Sequence, residues 1–176
     1  MSDRTRGYAE AVVALATGEG ALETVEDELL QIARAVDANE ELRNKLTDSG
    51  VPVGVRLGVV ETDLLTAAHP ATRAALGMVI AGGRAGDLAD IARAAAELAS
   101  TSRGRELAEV HVAVPLDDAQ KASLTAALER VTGKQLDLKV FVDPDVVGGV
   151  LARVGDTVID GTLSKRLTDV KTRIGR

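Results

Sequence analysis

The chain has 176 residues, 45% hydrophobic and 27% charged, a size and balance that suit one ordinary globular domain or two small ones with buried cores. It has no cysteine or tryptophan, and its only aromatics are Tyr8 and Phe141; disulfides, thiolate metal sites and cysteine nucleophiles are excluded, and platforms for stacking nucleic-acid bases are missing. The net charge of −6 lies wholly in residues 1–104, which hold 10 Lys and Arg against 16 Asp and Glu, while residues 105–176 hold 11 of each sign, so the two parts are differently built and the first is ill suited to DNA.

Tyr8, Val12 and Leu15 recur at helical spacing among Ala9, Ala11, Ala14 and Ala16, and Gly18 and Gly20 end this first helix. A second carries Leu22, Val25, Leu29, Ile32 and Val36, with Glu23, Glu26, Asp27 and Glu28 in its first turns, where the helix dipole favours acids. Asn39 suits the cap of a short third helix holding Leu42 and Leu46, stopped near Ser49-Gly50. Pro52 suits the first turn of a fourth, with a stripe of Val53, Leu57, Val60 and Leu64. His69-Pro70 restarts the chain, and Leu76, Val79 and Ile80 share a face up to Gly82-Gly83. Leu88, Ile91, Ala95 and Leu98 give a sixth helix, ending around Ser100 to Gly104. Such short amphipathic helices with brief connections make a compact bundle.

After Gly104 the period changes. Ala108, Val110, Val112 and Val114 alternate as a strand that Pro115 ends, and Asp117-x-x-Gln120 reads as a capping box opening a helix with Leu124, Leu128 and Val131, closed by Gly133. Leu136, Leu138, Val140 and Val142 alternate again. An apolar run from Val146 to Val154, broken by Gly148-Gly149, is joined to Thr157–Ile159 by Gly155-Asp156, the two-residue signal of a tight hairpin. Leu163, Leu167, Val170 and Ile174 then predict a last helix. The expectation is an α+β chain: a six-helix bundle over residues 1–104 and a small α/β domain over 105–176, with the boundary near residues 100–106.

No catalytic constellation stands out. His69 and His111 fall in different regions without acids at ligand spacing and read as surface or helix-end histidines. Asp143-x-Asp145 starts like a calcium loop, but Val147 and Val154 occupy positions that need oxygen ligands. Gly133-Lys134 lacks the upstream glycine of a phosphate loop, which is Leu128 here, and Gly18-x-Gly20 lacks the third glycine of a dinucleotide fingerprint. No nucleophile elbow is present. No cofactor, metal or enzymatic activity is therefore expected, and a cofactor-free enzyme would need convergent carboxylates in a cleft. What remains are apolar helix faces: Tyr8, Ala11, Val12 and Leu15 on the first helix, and Leu76, Val79 and Ile80 with Met78 on the fifth. Periodicity leaves open whether these are core or a groove that accepts a partner's amphipathic helix. The absence of an apolar leader after Met1 and of any run of eighteen apolar residues gives the expectation of a cytosolic protein, attached to a membrane only through a partner.

The stretch Gly148-Gly149, Arg153-x-Gly155-Asp156, Val158-Ile159-Asp160-Gly161-Thr162 and Lys165-Arg166-Leu167 resembles the C-terminal signature of the delta subunit of F-type ATP synthases, the oligomycin sensitivity-conferring protein family. Tyr8-Ala9-x-Ala11, Asn39-Glu40-Glu41-Leu42-Arg43 and Gly83-Arg84 with Leu88 and Ile91 resemble the family's earlier motifs in order and spacing, so the resemblance covers the whole chain. It implies a non-catalytic stator subunit at the cytoplasmic face of the cell membrane. The six-helix bundle would bind N-terminal helices of the head's alpha subunits through Tyr8, Ala11, Leu15, Met78 and Val79. The C-terminal part would bind the b-subunit stalk, with Gly148, Gly149, Gly155, Asp160 and Gly161 as contacts or as turn residues, and Lys165 and Arg166 complementing acidic stalk surface. One departure is Val13, where the family commonly has an aromatic; it implies a shallower groove or core. The competing reading is a cytosolic helical adaptor with a different protein partner.

Overall fold

The computed structural model describes residues 2–63, 68–146 and 148–162. Among these lie seven α-helices, one 3-10 turn and a four-stranded sheet, an α+β chain. The chain divides into two compact units, Met1–Ala99 and Ser100–Arg176.

The first unit runs through α1 (Asp3–Gly18), α2 (Leu22–Ala38), α3 (Glu40–Thr47), α4 (Val53–Asp63), α5 (Pro70–Ala81), a 3-10 turn (Ala85–Asp87) and most of α6 (Leu88–Ser102). Side-chain caps start several of these helices where backbone N–H groups lack partners. Ser2 Oγ accepts from Thr5 N–H, and Asn39 Oδ1 accepts from Leu42 N–H at 3.0 Å. With aromatics so scarce, the core is aliphatic: Val25, Leu29, Ile32 and Val36 of α2 are buried, as are Leu42, Leu46, Leu76, Ile80, Leu88, Ile91 and several alanines of α6.

Two helix faces differ from the expected ones. The inward face of α1 is Thr5, Ala9, Val12 and Ala16, leaving Tyr8 and Leu15 half-buried at its margin. Small residues face inward because they let α1 approach α2 and α5 closely. On α4 the expected stripe fails at its start: Val53 is 36% exposed, while Arg56, which the stripe leaves out, is buried. The guanidinium is drawn in by the unpaired carbonyls ending α3, and Arg56 Nη1 donates to Leu46 O at 3.3 Å. Pro52 stands one position before α4, and its carbonyl accepts from Arg56 N–H. Leu64 and the side chain of Val60 lie outside the described residues.

The second unit contains β1 (Glu106–Val112), α7 (Asp118–Thr132), β2 (Leu136–Val142), β3 (Val150–Val154) and β4 (Thr157–Asp160), in sheet order β2-β1-β3-β4. β1 and β2 are parallel and joined through α7; β3 runs antiparallel to β1, and β4 to β3. Asp117 and Gln120 form the capping box of α7, with Gln120 N–H donating to Asp117 Oδ1 at 2.7 Å. Leu128 packs with Ala108, Val110, Val112, Leu136, Ala152 and Val154 on one face of the sheet. Three expected apolar positions lie outside this core. Val114 is 64% exposed past the end of β1, Val142 is 52% exposed at the end of β2, and Val131 is 74% exposed in the last turn of α7, beyond the Leu124–Leu128 contact. The hairpin has the expected turn: Val154 pairs with Thr157 across Gly155-Asp156, with φ of 53° at Gly155 and no positive φ at Asp156. Residues of the expected last helix, Leu163, Leu167, Val170 and Ile174, lie outside the described residues.

Candidate protein-docking site

The α1–α5 face is built by two well-capped helices. Pro70 opens α5, and Ala71 N–H donates to Nδ1 of His69 at 3.2 Å, so His69 is an N-cap. Glu28 of α2 completes that end: its carboxylate accepts from His69 N–H at 3.0 Å and from the Thr72 hydroxyl at 2.5 Å. An acid at a helix N-terminus satisfies free donors and complements the dipole. Spacing alone assigned Glu28 to the first turns of α2; its partners lie some forty positions on, which is why sequence reasoning missed its role.

The seven apolar residues proposed for docking separate on this framework. Val12 at 2%, Leu76 at 1% and Val79 at 1% exposure are core, packed inside the first unit and not available to a partner. Ala11 is exposed, and Tyr8, Leu15 and Met78 are half-buried. Of the seven, these four keep accessible surface. Tyr8 reaches the C-terminal end of α5, where its hydroxyl lies against Gly82.

In the second unit the signature residues form a closure. Gly149 has φ of 88°, and a Cβ there would stand 2.4 Å from Gly161 O and 2.9 Å from Thr162 Cα. Gly161 N–H donates to Val150 O at 2.8 Å, and Asp160 Oδ1 accepts from Thr162 N–H at 3.0 Å. The loop entering β3 therefore crosses the chain leaving β4 at a distance that only glycine permits. Gly148 shares the positive φ of this loop. That geometry gives Gly148, Gly149, Asp160 and Gly161 a structural part; Lys165 and Arg166 lie outside the described residues.

The sheet face opposite α7 carries polar residues that strand alternation assigns to solvent. Glu109 and Lys139, register partners on β1 and β2, are each 8% exposed. Asp137 accepts from the Ser100 hydroxyl at 2.9 Å and pairs with Arg103. Burial pushes its carboxyl upward, but the Arg103 and Ser100 hydrogen bonds, with Lys139 nearby, outweigh this and hold it below the usual carboxylate range. His111 Nδ1 lies 3.2 Å from Asp143 Oδ2, beside Phe141. Among the described residues no group of His, Cys, Asp and Glu has metal-binding spacing, and no helix is long and apolar enough to cross a membrane.

The model of the ATP synthase delta (OSCP) subunit family matches residues 5–174. ATP synthase subunit delta of Frankia alni is 40% identical over 171 residues, covering 95% of this chain and 60% of that protein. The chain thus spans about 60% of the length of the Frankia and Parafrankia relatives. Subunit delta of Desulforamulus reducens is 34% identical over 169 residues, covering 96% of this chain and 93% of that protein. ATP synthase subunit b-delta of Mycobacterium sp. (strain KMS) is 39% identical over 151 residues, 85% of this chain and 34% of that protein. A chain of the Toxoplasma gondii mitochondrial ATP synthase hexamer shares the fold, with a TM-score of 0.58 and 22% identity over 99% of both chains.

Proposed function

The chain belongs to the ATP synthase delta (OSCP) subunit family, a stator component, and from that premise we propose that it is the non-catalytic link between the alpha/beta catalytic head and the b-subunit peripheral stalk. In this reading helices α1–α6 are a six-helix bundle that caps the head, and the domain over residues 105–176 grips the stalk. The chain works at the cytoplasmic face of the cell membrane without entering it.

The observation that carries the head contact is the accessible margin of the α1–α5 pair, where Ala11 is exposed and Tyr8, Leu15 and Met78 are half-buried. A shallow aliphatic face between two helices suits the apolar side of an amphipathic helix, and an N-terminal helix of an alpha subunit is such a ligand. The stalk contact is supported by the mycobacterial relatives whose name joins b and delta in one protein.

The role is mechanical. A rotor turning inside the head drags the head with it unless the head is tied to something fixed. A chain bound at both ends supplies the counter-torque, so that proton flux drives ATP synthesis. It needs slow dissociation and no chemistry; nanomolar affinity corresponds to about −12 kcal/mol, within reach of one well-packed interface. The test is calorimetric titration of the full chain with a peptide of the alpha N-terminal segment. We expect submicromolar one-to-one binding, lost in Ala11→Asp, which leaves the fold intact because Ala11 is exposed. No binding by the folded wild type would sink the head-docking assignment.

A further inference from the structure

Two glycines follow α5, and they answer to different requirements. Gly83 has φ of 69°, the left-handed conformation that ends many helices. Gly82 has φ of −73° and ψ of 0°, which any residue adopts, so its backbone does not explain the missing side chain. The space around it does. A Cβ at Gly82 would stand 2.0 Å from the Tyr8 hydroxyl oxygen and 2.9 Å from Tyr8 Cζ. The tip of the ring occupies the volume that a methyl group would fill.

We propose that Gly82 is a positioning residue: its bare backbone seats the Tyr8 ring across the end of α5 and thereby sets the shape of the α1–α5 docking face. Tyr8 sits one turn before Ala11 on α1, and Met78 lies one turn before Gly82 on α5. The seat thus closes one end of the accessible margin. A methyl group at Gly82 meets the far end of a half-buried side chain, and the low-cost response is for the ring to swing outward. Stability changes little, since alanine suits this backbone and restricts the unfolded chain. The face changes much more, because an aromatic ring leaves its edge. This inference rests on the docking reading above for its functional consequence, but the seat itself can be tested without a partner.

The chain has one tyrosine and no tryptophan, so its intrinsic emission reports Tyr8 alone. In the 176-residue chain, Gly82→Ala should leave the melting temperature nearly unchanged while raising the acrylamide quenching of that emission. It should also weaken binding of the alpha N-terminal peptide by about tenfold. In a double-mutant cycle, Tyr8→Leu/Gly82→Ala should bind within about threefold of Tyr8→Leu alone, because both colliding atoms, the hydroxyl oxygen and Cζ, are gone. A merely structural role for Gly82 predicts equal losses in both backgrounds, and that result overturns the proposal, as does unchanged quenching. If the wild type binds no peptide, the head-docking reading fails and quenching alone decides the seat. If Gly82→Ala does not fold, folding of the double variant supports the seat, and its failure to fold overturns it.

Discussion

Gly7 and Gly149 show how one substitution takes opposite signs at two sites. Gly7 lies in α1 with nothing within 4 Å of an added Cβ. Gly7→Ala should stabilise the chain by about 0.5–1 kcal/mol, through helix propensity and a less free unfolded state. At Gly149 the added Cβ would be both left-handed and 2.4 Å from Gly161 O. Gly149→Ala should therefore cost roughly 3 kcal/mol or more, strain and collision together, measured by urea denaturation. Asp137 provides a pH test. Its carboxyl is held below the usual range in the folded state, so its contribution is fully present above its ordinary unfolded value and is lost as pH falls through about 4 and below. Asp137→Asn should cost about 1–2 kcal/mol at neutral pH, and the difference from wild type should shrink on acidification. Equal penalties at pH 7 and pH 3 would refute that assignment.

Helices and strands were legible in the sequence wherever local chemistry sets their ends. Asp117 and Gln120 announce α7, and Asp117→Ala should cost about 1 kcal/mol, read as a lower melting temperature with reduced helicity. Asn39, His69-Pro70 and the Gly155-Asp156 turn were equally visible, because each acts on its immediate neighbours. Which face points inward was less so. The alanine side of α1 turns to the core because α2 and α5 come close, and the buried Arg56 answers a carbonyl at the end of another helix. Both depend on partners distant in sequence. The same limit applied to the candidate site: periodicity placed Val12, Leu76 and Val79 on the right helices but does not separate core from margin. Nothing local hints that Gly82 lies under Tyr8.

At the scale of the whole molecule, two compact units imply two cooperative blocks. Calorimetry should resolve two thermal transitions, and Gly149→Ala should lower the one belonging to the second unit while leaving the other in place. A single transition displaced as a whole would refute independent unfolding. Within that second unit the strand order dictates an order of assembly. β1 occupies the interior of the sheet, yet its neighbour on one side, β3, arrives only after α7 and β2 have passed. The β3–β4 hairpin closes locally within microseconds but is marginal by itself, so it must wait for a surface on which to dock. The nucleus expected from this order is β1–α7–β2, with the hairpin adding late. Folding kinetics offer the check: truncating Leu128 should slow refolding, whereas truncating Val154 should mainly hasten unfolding.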